Sequence, residues 1–230
     1  MRTWPPLPTP AYRAAEGRPG LGVETVIDLL RHGETVGGQR LRGARTDDPL
    51  TARGWHQLEM ATGDGSAWDV IASSPLRRCH DFAGALAERA GCPCRVDAQW
   101  REYDFGAWDG QPFDALWREQ GIALAAFFGD PDACTPPGGE DAAAFRERVR
   151  AAWGRLLADC AGRRVLLLGH GGVLRQLVAD VLGASGNVHP ALEWPHAAAS
   201  RIRVVAEAAE PPAAALVFHG RPPELGPPTR

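Results

Sequence analysis

Two histidines of this chain lie where an apolar run ends in a glycine-containing stretch. His32 lies between Arg31 and Gly33, and His170 is flanked by glycine on both sides. Gly33 removes a side chain where a ligand has to approach the backbone. Together with the guanidinium groups of Arg31 and Arg78, the two imidazoles would form a cationic pocket that suits a dianion such as a phosphoryl group.

Phosphoryl transfer needs a nucleophile, groups that offset charge and a proton for the leaving oxygen. A neutral imidazole can attack phosphorus and form a phosphohistidine, while arginines offset charge on the phosphoryl oxygens. The remaining part is an acid. We expect it in the irregular stretch 99–139, which can fold over the mouth of the site.

Two alternatives to a phosphate site are weaker. Two histidines could ligate zinc, but a third ligand should be near and the arginines would repel a divalent cation. All 25 basic residues are arginine, so no lysine exists to complete a G-x-x-x-x-G-K-[ST] loop. A G-x-G-x-x-G fingerprint after the first strand is also missing.

Strand-like and helix-like segments alternate along the chain, which predicts an α/β fold with a mostly parallel sheet flanked by helices. Functional loops of such folds gather at the carboxyl ends of the strands. His32, His170 and the segment 73–78 are therefore expected at one sheet edge. Strands are predicted at 24–30, 68–74, 94–98, 164–169, 200–208 and 214–220. Helices are predicted at 51–62 with Thr51 as N-cap, from Pro75 to about Arg89, near 112–127, within 138–162 and at 173–183.

The residues 30–35, Leu-Arg-His-Gly-Glu-Thr, resemble the signature of the histidine phosphatase superfamily, also called phosphoglycerate-mutase-like. Four further segments match this family in the expected order, so that the resemblance spans residues 29 to 175. They are Pro49-Leu50-Thr51 with Gly54 and Gln57, the Ser-Pro-Leu-Arg-Arg run at 74–78, Glu102-Tyr-Asp-Phe-Gly-Ala-Trp-Asp-Gly110, and Gly-His-Gly-Gly at 169–172. The resemblance implies a three-layer sandwich.

The family resemblance also implies a role for each residue. His32 would be the nucleophile, and Arg31, Arg78 and His170 would bind the phosphoryl group. Glu102 would protonate the leaving oxygen and then activate water. Gly33 and Gly171 would lie against the substrate, and no metal or organic cofactor would be needed.

One position departs from the family pattern. Relatives often carry an asparagine where this chain has Gly38, so one phosphate contact is either missing or supplied by backbone amides of the Gly37-Gly38 turn. We expect a structural or orienting role for Glu34, and a surface charge or indirect partner in Arg175. The remaining histidines are expected to be ordinary surface or packing residues: His56, His80, His189, His196 and His219.

The substrate is less closely specified than the chemistry. The F-G-x-W-D-G string and the short stretch from Gly110 to Gly139 favour hydrolysis over the mutase reaction. Residues 32–51 and the spacing from Glu102 to Glu140 resemble α-ribazole phosphatases of cobalamin synthesis. The alternatives are a broad-specificity or sugar-phosphate histidine phosphatase, then a phosphoglycerate mutase or a phospho-ligand binding module without turnover.

Composition and charge limit the partners. A formal net charge of −3 lacks the basic excess of a nucleic-acid binder, and no apolar run approaches membrane-spanning length. An odd count of five cysteines and no secretory signal favour a reduced, cytoplasmic protein. We expect a phosphatase domain over 23–220 between a flexible leader, 1–22, and a flexible tail, 221–230. The partner is a small-molecule phosphate monoester, and a homodimer is possible.

Overall fold

The computed structural model describes residues 22–184, 191–207 and 212–223. Most of the predicted leader and tail, and His189, lie outside these residues. The strands are β1 Val23–Arg31, β2 Val70–Ser73, β3 Cys94–Val96, β4 Arg164–Gly169, β5 Ala199–Ala206 and β6 Ala213–Arg221. The helices are α1 Ala52–Thr62, α2 Arg77–Ala90, α3 Phe113–Gly129, α4 Ala142–Asp159 and α5 Gly171–Val181, with 3₁₀ turns at Ala98–Trp100 and Gly106–Trp108.

The six strands form one sheet in the order β3-β2-β4-β1-β5-β6. The pairs β3/β2, β2/β4 and β4/β1 are parallel, whereas β5 runs antiparallel to both β1 and β6. The expected α/β fold with a mostly parallel central sheet is confirmed. The parallel strands end together, because Arg31 of β1 pairs with Gly169 of β4 and Ser73 of β2 pairs with Leu168.

Both faces of the sheet are covered, which makes the molecule a three-layer sandwich. Alternate residues of β4 point to opposite sides: Val165 and Leu167 belong to the core with α3, α4 and α5, and Leu166 and Leu168 to the core with α1 and α2. A strand buried on both faces has no polar side, which explains the continuous apolar run before His170.

Two helix starts show how well local signals predict an element. Thr51 caps α1 as expected, with its hydroxyl accepting from the backbone N–H of Gly54 at 2.9 Å. Pro75 does not open α2, because that helix begins at Arg77 after an extended Leu76. The Ser74 hydroxyl accepts from the Leu76 N–H at 3.3 Å, so the chain makes a turn before the helix. Among the helices in the described ranges, none combines the length and apolar character that crossing a membrane requires.

Candidate active site

The sheet edge brings the two glycine-flanked histidines together. The backbone N–H of His32 donates to Gly169 O at 3.0 Å, which fixes the end of β1 beside the end of β4. The rings of His32 and His170 lie 5.4 Å apart, centroid to centroid, and are tilted by 59°. The expected meeting of these strand ends is observed.

His32 is a buried, neutral imidazole with a defined tautomer. Its Nδ1 lies 2.8 Å from Gly33 O, and because a carbonyl oxygen only accepts, Nδ1 carries the proton. The lone pair is then on Nε2. Burial, with the charges of Arg78 and Arg31 next in size, lowers the pKa of His32 well below 6.5. The ring is therefore unprotonated at neutral pH, with its Nε2 lone pair available.

His170 is fully buried, and both of its ring nitrogens are occupied. Nδ1 accepts from Arg78 Nε at 3.2 Å, and Nε2 lies 2.6 Å from the Ser74 hydroxyl, to which it donates. Burial, reinforced by Arg78, lowers the pKa of His170 well below 6.5. A direct bond from His170 to a phosphoryl oxygen would require exchanging Ser74 for that oxygen.

Arg78 is also fully buried and is held by backbone carbonyls. Its Nη1 donates to Thr46 O at 2.6 Å and its Nη2 to Gly43 O at 2.9 Å. Because Nε donates to His170, three of the five guanidinium N–H groups make these hydrogen bonds, and two are available for other acceptors. The carboxylate of Asp109 holds this loop, accepting from Gly43 N at 3.0 Å and from the Thr46 hydroxyl at 2.5 Å.

Arg31 carries an unused donor. Its Nη1 donates to Trp194 O, but the buried Nε has no partner among the described residues. Burial and the neighbouring charge of Arg175 lower the pKa of Arg31 to about 10, so it stays charged at neutral pH. A buried, charged N–H without a partner is costly, and an anion would satisfy it.

Glu102 is buried and its carboxylate is aimed by backbone amides. Oε2 accepts from Gly172 N at 2.9 Å and Oε1 from Tyr103 N at 3.0 Å. Arg148 of α4 fixes the backbone beneath, with Nη2 donating to Glu102 O at 3.0 Å. The carboxyl and the His32 ring line the same cavity, so a carboxyl group and an imidazole face one space.

That cavity has a volume of about 660 Å³. Next to His32 it is polar, lined by Arg31, Glu102 and Gly171. Arg78 and His170 are not among its lining residues. Five aromatic rings form a second part, here called the aromatic wall: Tyr103, Phe105, Phe127, Phe128 and Phe145. Besides Arg31 and Arg175, four arginines line the cavity: Arg40, Arg42, Arg146 and Arg150.

His196 and Arg175 line the cavity although neither was assigned to the site from the sequence. The interpretation of His196 as an ordinary surface or packing residue is wrong, because its ring lies 5.4 Å from the His32 ring and lines the cavity. Arg175 also lines the cavity, where its Nε donates to Leu192 O at 2.7 Å. Spacing could have pointed to Arg175, one helical turn after Gly171, whereas His196 gives no sequence signal.

Three positions near the site are occupied by glycine for different structural reasons. A Cβ on Gly33 would lie 2.2 Å from Gly54 O, so Gly33 allows the close approach of α1. Gly171 leaves room for Arg175, whose Nη1 would be 2.8 Å from a Cβ there. Gly38 has a φ of +70° and its carbonyl accepts from Arg42, which closes the turn.

Within the described residues, no group of three or more histidine, cysteine or acidic side chains could hold a metal ion.

A neutral imidazole, a carboxyl aimed by backbone amides and several arginines thus lie together at the carboxyl edge of an α/β sheet. A model of the histidine phosphatase superfamily, branch 1, matches residues 27–211. The chain belongs to this superfamily, which confirms the family expected from the sequence.

Two curated relatives illustrate the range of the family. A protein of Klebsiella pneumoniae named a probable phosphoglycerate mutase is 35% identical over 183 residues, covering 76% of this chain and 83% of the relative. A bifunctional protein of Mycobacterium tuberculosis is 33% identical over 186 residues, covering 78% of this chain. The chain spans about half the length of that mycobacterial relative, 49%.

Solved structures are similar in fold over most of the chain. A mycobacterial glucosyl-3-phosphoglycerate phosphatase matches with a TM-score of 0.73 at 28% identity, covering 86% of this chain and 99% of the other. A candidate α-ribazole-5′-P phosphatase of Escherichia coli matches with a TM-score of 0.73 at 25% identity, covering 85% and 96%.

Proposed function

We propose that this enzyme is a phosphomonoesterase in which His32 carries the phosphoryl group as a phosphohistidine. The observation that supports this most is the hydrogen bond from His32 Nδ1 to Gly33 O, because it leaves the Nε2 lone pair available in a neutral ring. The cavity places that ring in the same space as the Glu102 carboxyl.

In the first step, His32 Nε2 forms a bond to phosphorus while the bond from phosphorus to the leaving oxygen breaks. Glu102 gives its proton to that oxygen. In the second step, Glu102 takes a proton from water, whose oxygen attacks phosphorus and breaks the phosphorus–nitrogen bond. The unpartnered Nε of Arg31 is the first donor available to the phosphoryl oxygens, and Arg78 has two further N–H groups. His170 joins them by exchanging the Ser74 hydroxyl for a phosphoryl oxygen.

Two variants test these roles. His32→Ala should abolish turnover, and retained turnover would rule out the covalent step. Glu102→Gln should slow turnover by roughly a hundredfold or more and prolong the phosphohistidine, because both proton transfers depend on it. Rapid mixing with ³²P-labelled substrate, followed by alkaline gel electrophoresis, detects the label on histidine. Unchanged turnover in Glu102→Gln would remove Glu102 from the acid role.

The leaving group that we propose is uncharged and carries a planar aromatic base, as in α-ribazole 5′-phosphate or cobalamin 5′-phosphate of cobalamin synthesis. A cavity of about 660 Å³ greatly exceeds a phosphoryl group, and the aromatic wall offers stacking surfaces. Tyr103 adds a buried hydroxyl with no partner among the described residues. The Escherichia coli α-ribazole-5′-P phosphatase candidate lends further support.

The cavity arginines away from His32 support an uncharged leaving group, because each already faces an aspartate. Arg150 makes a bidentate pair with Asp180 at 2.7 and 3.0 Å. Arg146 makes a similar pair with Asp132. Arg42 donates to Asp48 at 2.8 Å, and Arg40 lies 3.8 Å from the same carboxylate.

The second candidate is a sugar phosphate with an acid group. The same four arginines favour it if their aspartates turn away, and the solved glucosyl-3-phosphoglycerate phosphatase provides a precedent. The ratio kcat/KM for phosphate release from α-ribazole 5′-phosphate, glucosyl-3-phosphoglycerate, 3-phosphoglycerate and p-nitrophenyl phosphate separates the candidates. A strong preference for α-ribazole 5′-phosphate supports the first candidate, and a preference for the acidic sugar phosphate refutes it.

A further inference from the structure

The segment 192–197, between α5 and β5, is tied to the arginines of the site. Leu192 O accepts from Arg175 Nε at 2.7 Å, and Trp194 O accepts from Arg31 Nη1. Trp194 is itself buried, with its indole N–H donating to Ala198 O at 2.8 Å. Two backbone carbonyls of this segment are therefore hydrogen-bonded to the guanidinium groups of Arg31 and Arg175.

The backbone at Ala197 is held in an unusual conformation. Its φ is +55°, which makes it the one non-glycine residue with positive φ in the described part of the chain, and it is fully buried. Its N–H is shared by the carbonyl oxygens of Arg31 and His32, at 3.1 and 3.2 Å. Strained residues of this kind concentrate at ligand sites, because the surrounding structure has to enforce them.

His196 directly precedes Ala197, and its side chain lies beside His32. Its ring is 5.4 Å from that of His32, the same separation as the ring of His170. The two neighbours of the nucleophile differ in one respect: both nitrogens of His170 are bonded, whereas neither nitrogen of His196 has a hydrogen-bond partner among the described residues. His196 lines the cavity and His170 does not.

We propose that His196 is a further phosphoryl-binding residue, donating an N–H to an oxygen of the group that is transferred to His32. The inference rests on the proposed function, since it places the phosphoryl group on His32. Burial and the charge of Arg31 lower the pKa of His196 to about 4, so the ring donates as a neutral imidazole. It adds a directed donor without adding a third cation beside Arg31 and Arg175.

The test compares binding of orthovanadate and of inorganic phosphate, measured as competitive inhibition and by calorimetry. His196→Phe keeps a ring and loses the N–H, and His196→Asn keeps a donor. The matched control is His80→Phe, which makes the same change at an exposed position of α2. Near-UV circular dichroism verifies folding, and His196→Ala replaces His196→Phe if the latter does not fold.

We expect His196→Phe to weaken the binding of orthovanadate about tenfold or more, because a hydrogen bond to a charged group is lost. His196→Asn should recover part of that loss, and His80→Phe should bind like the wild type. If His196→Phe bound orthovanadate within twofold of the wild type, the inference would be overturned. The proposed function would still stand in that case if turnover depended on His32. A wild-type protein that binds neither anion overturns both.

Discussion

The N–H of Gly172 and the carboxylate of Glu102 form a matched pair. The amide donates to Oε2 at 2.9 Å, and a Cβ on Gly172 would lie 2.4 Å from Oε1. The first turn of α5 thus supplies a hydrogen-bond donor and leaves the space for the carboxyl. A helix N-terminus has free N–H groups of this kind, which favour a negative charge.

Gly172→Ala should displace the Glu102 carboxyl without disturbing the sheet. A misplacement of about 1 Å costs on the order of a hundredfold in rate, so we expect kcat to fall by that order. Steady-state assays with p-nitrophenyl phosphate measure the effect, with circular dichroism as a check of the fold. Turnover at the wild-type level would show that the Gly172 contact does not place the acid.

The control for this substitution is Gly154→Ala on α4. A Cβ on Gly154 meets nothing within 4 Å, so the methyl group fits. Replacing a glycine within a helix should raise the free energy of unfolding by roughly 0.5–1 kcal/mol. Activity should be unchanged, which separates a general effect of alanine from the loss of space beside Glu102.

Arg148 positions Glu102 from the side away from the cavity. Its guanidinium makes five hydrogen bonds, three to the carbonyls of Gln99, Arg101 and Glu102 and two to the Glu140 carboxylate. Arg148→Lys keeps the charge and loses the planar fork. We expect kcat to fall at least tenfold with a smaller change in KM, because Arg148 does not line the cavity.

The same substitution at Arg155 of α4 is the control. Arg155 is half exposed and pairs with Asp97 at 2.8 Å, so its replacement by lysine should change stability by less than about 1 kcal/mol. Equal losses of kcat in Arg148→Lys and Arg155→Lys would contradict a positioning role for Arg148.

The sequence predicts the parts of the fold and site that depend on neighbours along the chain. The apolar runs of β1 and β4, the Thr51 cap and the meeting of His32 with His170 follow from periodicity and from strand ends lying at one edge. The start of α2 cannot be predicted from Pro75, because a proline suits either a first helical turn or the turn before it.

His196 could not be predicted in this way. Its place beside His32 arises from the pairing of β5 with β1, which brings the end of a distant loop next to the nucleophile. The role of Gly33 is predicted only in part. The sequence predicts that another group approaches its backbone closely, and in the structure that group is Gly54 O of α1.

Gly33→Ala should therefore act on stability as well as activity. A Cβ at 2.2 Å from Gly54 O cannot be accommodated by a side-chain rotation, because both partners are backbone. Overpacking of this kind costs roughly 1–3 kcal/mol, which urea unfolding measures. A free energy of unfolding within about 0.5 kcal/mol of the wild type would show that the ends of β1 and α1 can separate freely.

The two buried histidines make stability depend on pH in a defined window. In the folded chain, burial first and Arg78 second lower the pKa of His32 and His170 well below 6.5. In the unfolded chain these groups titrate near about 6.5. Between the folded and unfolded pKa values the unfolded chain binds more protons, so the free energy of unfolding falls as the pH falls below about 6.5.

Each such histidine contributes a slope of up to about 1.4 kcal/mol per pH unit in that window. His32→Asn removes one titrating group and keeps a polar side chain, so its slope between pH 6 and 5 should be smaller by about that amount. Urea unfolding curves at a series of pH values measure both slopes. Parallel slopes for the wild type and His32→Asn would mean that His32 takes up its proton over the same pH range in the folded and unfolded chains, which would contradict the lowered pKa of the buried ring.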